Sequence, residues 1–213
     1  MRRLPVYLLI DTSGSMSGEP IEAVKNGLQL LHSALRKDPQ AMETAFLSVI
    51  TFSSNASQVM PLTEVASFRP PNVTASGGTS LGAALKLVVD CADKEVNKGT
   101  SSEKGDWKPL VFLMTDGMPT DSIDSGLKKF KAAKWGLVVA CAAGHSADTA
   151  VLQKIAGENV LLLDTCDSAS IAAYFKFVSS SIVTTSQKID SGGGVDSMSE
   201  LPPPPPEISL LKP

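Results

Sequence analysis

The apolar positions along the chain fall into two alternating kinds of run. Val6–Ile10, Ala45–Phe52, Leu110–Met114, Trp135–Ala143 and Val160–Leu163 are nearly continuous apolar stretches. Such runs predict strands buried on both faces. Between them apolar residues recur three and four apart: Ile21, Val24, Leu28, Leu31 and Leu35; then Leu81, Ala84, Leu85, Val88 and Cys91; finally Ile171, Phe175, Val178 and Ile182. That period predicts helices with one buried stripe. Pro20 fits the first turn of the first helix, Glu19 and Glu22 suit its positive end, and Lys37-Asp38-Pro39 stops it. Further helices are predicted over Ile123–Lys134 and Asp148–Ile155. A weaker strand over Gln58–Leu62 follows Ala45–Phe52 after a link too short for a crossover. This pair should be antiparallel and lie at the sheet edge, where Pro61 is tolerated. Ala66–Gly78 and Asn97–Lys108 are read as loops, the second flexible and exposed.

The order β-α-β-β-α-β-α-β-α-β-α predicts an α/β fold: a doubly wound, mostly parallel six-stranded sheet with one antiparallel edge strand. The composition shifts after Ser186. Residues 1–186 read as one domain and 187–213 as a Gly/Ser- and Pro-rich tail whose prolines at 202–206 favour an extended rod. Two readings of the tail stay open. It is a solvated linker, or it is a docked strap, because Ile208, Leu210 and Leu211 are too apolar for linker.

Composition removes several classes of function. With 43% hydrophobic residues in a chain of 213, a sizeable core can form and wholesale disorder is excluded. A net charge of -3 and 5% aromatic residues argue against nucleic acid as a partner. Cys91, Cys141 and Cys166 form no C-x-x-C pair, so a zinc ribbon or dithiol site is not expected; Cys91 and Cys141 read as buried thiols. At the N-terminus, Arg2 and Arg3 precede an apolar run that Asp11 stops after Ile10, too short for a signal peptide or a membrane span. A soluble, cytoplasmic protein with no membrane contact is expected.

Ligands of such sheets bind beyond the carboxyl ends of the strands. Three polar segments belong there: Asp11-Thr12-Ser13-Gly14-Ser15, Gly77-Gly78-Thr79-Ser80 and Thr115-Asp116-Gly117. Each alone reads as a turn or helix cap. Together they offer carboxylates and hydroxyls but no imidazole, an all-oxygen set suited to Mg²⁺, Mn²⁺ or Ca²⁺ rather than zinc. Asp11, Ser13, Ser15, Thr79 and Asp116 are the candidate metal-site residues.

These segments resemble the metal-ion-dependent adhesion site of von Willebrand factor A domains. The family's D-x-S-x-S matches Asp11, Ser13 and Ser15, its threonine Thr79 and its later aspartate Asp116. The resemblance implies Ser13, Ser15 and sometimes Thr79 as direct ligands, with Asp11 and Asp116 acting through water or switching with state. DTSGSMSGEPI, SGGTSLGAAL, LMTDGMPTD and the LPPPPPEI tail look like the bacterial tellurite-resistance TerY type. That type implies a cytoplasmic stress-response setting with kinase- or phosphatase-like companions; this sequence lacks the cysteines of the module that ends some related chains, so that module's function is not expected. The expected function is docking: the ion accepts an Asp or Glu from a protein partner, with no catalysis.

Two alternatives remain. A Mg²⁺-dependent phosphatase would use Asp11 as nucleophile, although Ser13 stands where its helper aspartate belongs. A scaffold would keep the ion for structure only and bind through another face, such as Lys128, Lys129, Lys131 and Lys134. His32 is read as a surface or rim residue and His145 as a loop residue. Thr12, Ser17, Ser80, Thr115 and Thr120 are candidate phosphate acceptors.

Overall fold

Strand β1 (Leu4–Asp11) sends alternate side chains into two cores. Leu4, Val6, Leu8 and Ile10 enter one; Tyr7 and Leu9 enter the other. This two-sided burial is why the run carries no alternation of polar residues. The computed structural model describes residues 2–190 and 192–211. Helices α1 (Glu19–Leu35), α2 (Pro39–Thr44) and α6 (Ser168–Asp190) cover the first core. Helices α3 (Leu81–Glu95), α4 (Asp124–Ala132) and α5 (Thr149–Ala156) cover the second.

The remaining strands are β2 (Ala45–Phe52), β3 (Ala56–Glu64), β4 (Leu110–Thr115), β5 (Leu137–Ala143), β6 (Val160–Leu163) and β7 (Ile208–Leu210). Their order across the sheet is β3-β2-β1-β4-β5-β6-β7. Strands β2, β1, β4, β5 and β6 run parallel, and β3 is the expected antiparallel edge. β1 and β4 are neighbours whose following connections leave in opposite directions. That reversal opens a crevice beyond their carboxyl ends, the place where ligands of such sheets bind.

The structure departs from the sequence reading in three places. The sheet has seven strands rather than six, and both edges are antiparallel: β7 pairs Leu161↔Leu210 and Leu163↔Ile208 with β6. Residues 192–211 lie back against the domain as a strap, because Val195, Leu201 and Ile208 are buried in the first core. Asp38-Pro39, read only as a stop, also starts α2: the Asp38 carboxylate accepts from the Ala41 amide at 2.8 Å, with proline in the first turn. Asn97–Lys108 is anchored rather than loose. Asp106 accepts from the Arg3 guanidinium and from the Asn97 amide, which closes the loop at its base. No helix among the described residues is long and apolar enough to cross a membrane.

Besides its ladder with β2, edge strand β3 is tied to α3 and β1 through one carboxylate. Glu95, at the end of α3, accepts from the Tyr7 hydroxyl at 3.0 Å, from Gln58 Nε2 and from the Leu62 amide. Tyr7 is fully buried, and burial first, then Glu95, pushes its phenol well above the ordinary value. Glu95→Ala leaves that hydroxyl unpartnered. We expect a loss of about 1–3 kcal/mol, read as a lower denaturant midpoint, with Glu95→Gln recovering part of it.

Candidate metal centre

Asp11 is the last residue of β1 and is fully buried. Its Oδ1 accepts from the Ser13 amide at 2.8 Å, and its Oδ2 from the Thr115 hydroxyl at 2.5 Å. One bond is local, an Asx turn that reverses the chain; the other crosses to the neighbouring strand. Residues 14–16 then form a single 3-10 turn that brings Ser15 back over the strand end. Ser13 Oγ and Ser15 Oγ are 3.0 Å apart, and Ser15 Oγ donates to Asp116 Oδ1 at 2.8 Å. Four of the five predicted residues therefore form one run of hydrogen bonds across the β1–β4 crevice, closed into a ring through Thr115.

Thr79 completes the group from a third segment. A Cβ placed on Gly117 would lie 3.7 Å from Thr79 Oγ1, so this hydroxyl borders the turn that carries Asp116. Its backbone is fixed on both sides: the Thr79 amide donates to Thr120 Oγ1 at 2.9 Å, and the Thr120 amide donates to the Thr79 carbonyl at 2.9 Å. Just beyond it, the Asp121 carboxylate accepts from the Gly82 and Ala83 amides at the start of α3. Gly77 accepts the Gly14 amide through its carbonyl and has φ +75 with Ser54 packed against its α-carbon, so a side chain there would be strained and crowded.

The five residues read from the sequence lie together at this crevice; the residues that support them do not read as such. In the sequence, Thr115 reads as part of the Thr115-Asp116-Gly117 segment and as a phosphate acceptor, not as a support. It is 1% exposed and donates to Asp11, so it is a positioning residue and is closed to modification. Thr12 is buried as well, and the Thr120 hydroxyl is engaged by Thr79. Asp121 was not identified; a carboxylate two residues after Thr-Asp-Gly-Met-Pro gives no local sign that it caps a helix about forty residues upstream. His32 is corrected from surface to interior: it is 9% exposed, its Nε2 donates to the Val65 carbonyl at 3.0 Å, and its ring meets Phe68 edge-on. His145 sits exposed in the loop after β5.

The electrostatics are those of an acidic pair without a counter-charge. Among the described residues, no lysine or arginine forms an ion pair with Asp11 or Asp116. Burial raises the pKa of Asp11; hydrogen bonds from Thr115 and Ser13 oppose the shift, and the charge on Asp116 adds to it. Cys166 lies at the flank, with its Sγ 4.0 Å from Met16 Sδ. Burial, then Asp116 and Asp11, push its thiol up to about 12, so sulfur remains protonated beside the oxygens.

A model of the von Willebrand factor type A domain matches residues 6–177. Among curated proteins, the chain is 35% identical over 123 residues to the uncharacterized protein sll0103 of Synechocystis sp., covering 54% of this chain and 26% of that one. It is 28% identical over 168 residues to human inter-alpha-trypsin inhibitor heavy chain H4, covering 72% of this chain and 17% of that one. The chain thus spans about a quarter or less of these relatives' length. Among solved structures, proximal thread matrix protein 1 from the mussel byssus, with a zinc-occupied MIDAS motif, superposes with a TM-score of 0.59 at 22% identity over 84% of this chain and 48% of that one. A von Willebrand factor type A protein from Catenulispora acidiphila gives 0.63 at 17% identity, covering 86% and 43%.

Proposed function

The chain belongs to the von Willebrand factor type A family, and from that premise we propose that Asp11, Ser13, Ser15, Thr79 and Asp116 hold a divalent cation through which the protein docks an acidic side chain of a protein partner. The observation that carries this reading is the buried Asp11–Asp116 pair, which has no ion pair to lysine or arginine among the described residues. A buried charge is retained only with compensation, and a cation supplies it. The donor set fits Mg²⁺, with Mn²⁺ and Ca²⁺ as the other hard ions such oxygens accept. When bound, the ion offers an electrophilic position that a partner's carboxylate can occupy.

The chain's own residues do the preparing. Thr115 and the Ser13 amide hold Asp11 with both oxygens engaged, so Asp11 sets charge behind the site rather than attacking anything. That engagement, and its full burial, count against the phosphatase alternative. Ser15 bridges Ser13 and Asp116, and it is the exposed member of the ring, facing an incoming group. Met118, 63% exposed two residues after Asp116, supplies an apolar element at the rim. The setting we propose is the cytoplasmic, tellurite-resistance or stress-response one of the TerY type, with kinase- or phosphatase-like partners, on the strength of the shared segments around the site.

The test is capture of protein partners in Mg²⁺ and in chelator, with Asp11→Ala as control. Partners that bind through the ion fall by about tenfold or more both on chelation and in the variant, while circular dichroism shows the fold intact. Partners retained equally in all three conditions would leave only the scaffold reading.

A further inference from the structure

At the opposite pole of the sheet lies a groove of about 1100 Å³. Arg2 leads into β1, Lys108 and Pro109 into β4, and Trp135 into β5, so the groove sits at the amino ends of the strands whose carboxyl ends carry the acidic pair. Strand β4 runs between the poles, six residues at about 3.3 Å each, a separation of roughly 20 Å. The groove's volume slightly exceeds the roughly 300–1,000 Å³ typical of small-molecule sites.

Three observations describe what fits it. First, charge: Arg2, Lys98, Lys104, Lys108, Lys129 and Lys134 line it, against Asp93, Glu103 and Asp106. Asp106 is neutralised by Arg3, and Lys98, Lys108 and Lys129 are paired with Asp93, Asp196 and Asp90; Arg2, Lys104 and Lys134 then stand against Glu103, and Lys104 and Lys134 are exposed with no ion pair among the described residues. A chain of net charge -3 thus gathers an excess of cations on one groove. Second, the floor is aliphatic, made by Val89, Ala92, Val96, Pro109 and Ala133. Third, each indole already has a stacking partner. The Arg2 guanidinium lies 3.8 Å from the Trp107 ring centroid, and Trp135 stacks on Phe130 at 4.9 Å. Neither tryptophan offers a two-sided slot for a base. The walls are the C-terminal ends of α3 and α4, which offer no amide nest for a compact phosphate, so anion binding here falls to the Lys104 and Lys134 side chains.

We propose that this groove is a second docking site, for an extended acidic peptide segment of a protein partner that places an aliphatic side chain on the floor and carboxylates against Lys104 and Lys134. The protein is then two-ended: the groove works without the ion, and the proposal stands independently of the metal-site reading.

The chain's two tryptophans, Trp107 and Trp135, both line the groove, so intrinsic fluorescence reports on it. The probe is a synthetic peptide of alternating Glu and Leu, with a Lys/Leu peptide, an oligothymidylate and ATP as controls, titrated into the full chain. The acidic peptide should shift tryptophan emission saturably. Its affinity should fall about tenfold or more in the Lys104→Glu/Lys134→Glu double variant and in about 0.5 M salt, and should be unchanged by chelator and by Asp11→Ala. Absence of a saturable shift, equal affinity in the double variant, or equal or tighter binding of the oligothymidylate or ATP overturns the proposal. Loss of the peptide on chelation would place its binding at the other pole and also overturns it.

Discussion

Asp11→Asn is expected to make the metal-free protein more stable and to abolish its stabilisation by Mg²⁺. Asp11 is fully buried, and its pKa is raised chiefly by that burial. A carboxyl whose folded pKa lies above its unfolded one holds its proton more tightly when folded. The metal-free protein therefore gains stability as pH falls from the raised folded pKa to the ordinary carboxylate value of the unfolded chain, and bears the cost of the charged form above the raised pKa. Asparagine preserves the acceptor for the Ser13 amide and removes the charge. A bound cation reverses the balance, because the unfolded chain has no such cluster. At a hundredfold excess over its dissociation constant, an ion that binds only the folded state adds about 2.7 kcal/mol, or roughly 5–10 °C in midpoint for a chain of this size. Thermal unfolding with Mg²⁺ and with chelator, at acidic and neutral pH, measures both effects. An equal Mg²⁺ shift in wild type and variant would remove Asp11 from the ion's surroundings.

Gly27→Ala should be damaging although it is a conservative change within a helix. Gly27 sits in the middle of α1, where alanine would ordinarily favour the helix by about 1 kcal/mol. Here the added Cβ falls within the ring of Phe175 on α6, a side chain 1% exposed. The ring is wedged against Tyr174 and the first core, with ring centroids 5.5 Å apart, and has nowhere to turn. Overpacking of this kind costs about 1–3 kcal/mol or more, which outweighs the propensity gain. Urea unfolding should show a net loss of about 2 kcal/mol. The double variant Gly27→Ala/Phe175→Leu should be less unstable than the sum of the singles, since the smaller side chain relieves the clash. Additive behaviour would show that α1 and α6 separate freely and that the contact is not tight.

The two cases mark different degrees of legibility. Asp11, Ser13 and Ser15 are spaced within one turn, and the strand before them is unmistakable, so the polar segment at its end could be read directly. Gly27 looks like a weak point in a helix, because its reason lies on α6, far along the chain. Thr115 and Asp121 behave alike. Each has an ordinary turn sequence, and each acts on a residue at the end of another element. His32 was misread because a polar ring on an apolar stripe looks exposed until a carbonyl, here that of Val65, arrives to accept its proton.

Local pattern determined the alternation of strands and helices, the antiparallel hairpin at one edge and the oxygen-rich segments, since each depends on the period and chemistry of neighbouring residues. Tertiary structure alone decided the seventh strand, the ring that joins Ser15 to Asp116, and the basic groove assembled from Arg2, Lys104 and Trp135. Those features are contacts between segments distant in the chain. Their energies depend on three-dimensional distance and burial, which spacing along one sequence does not record.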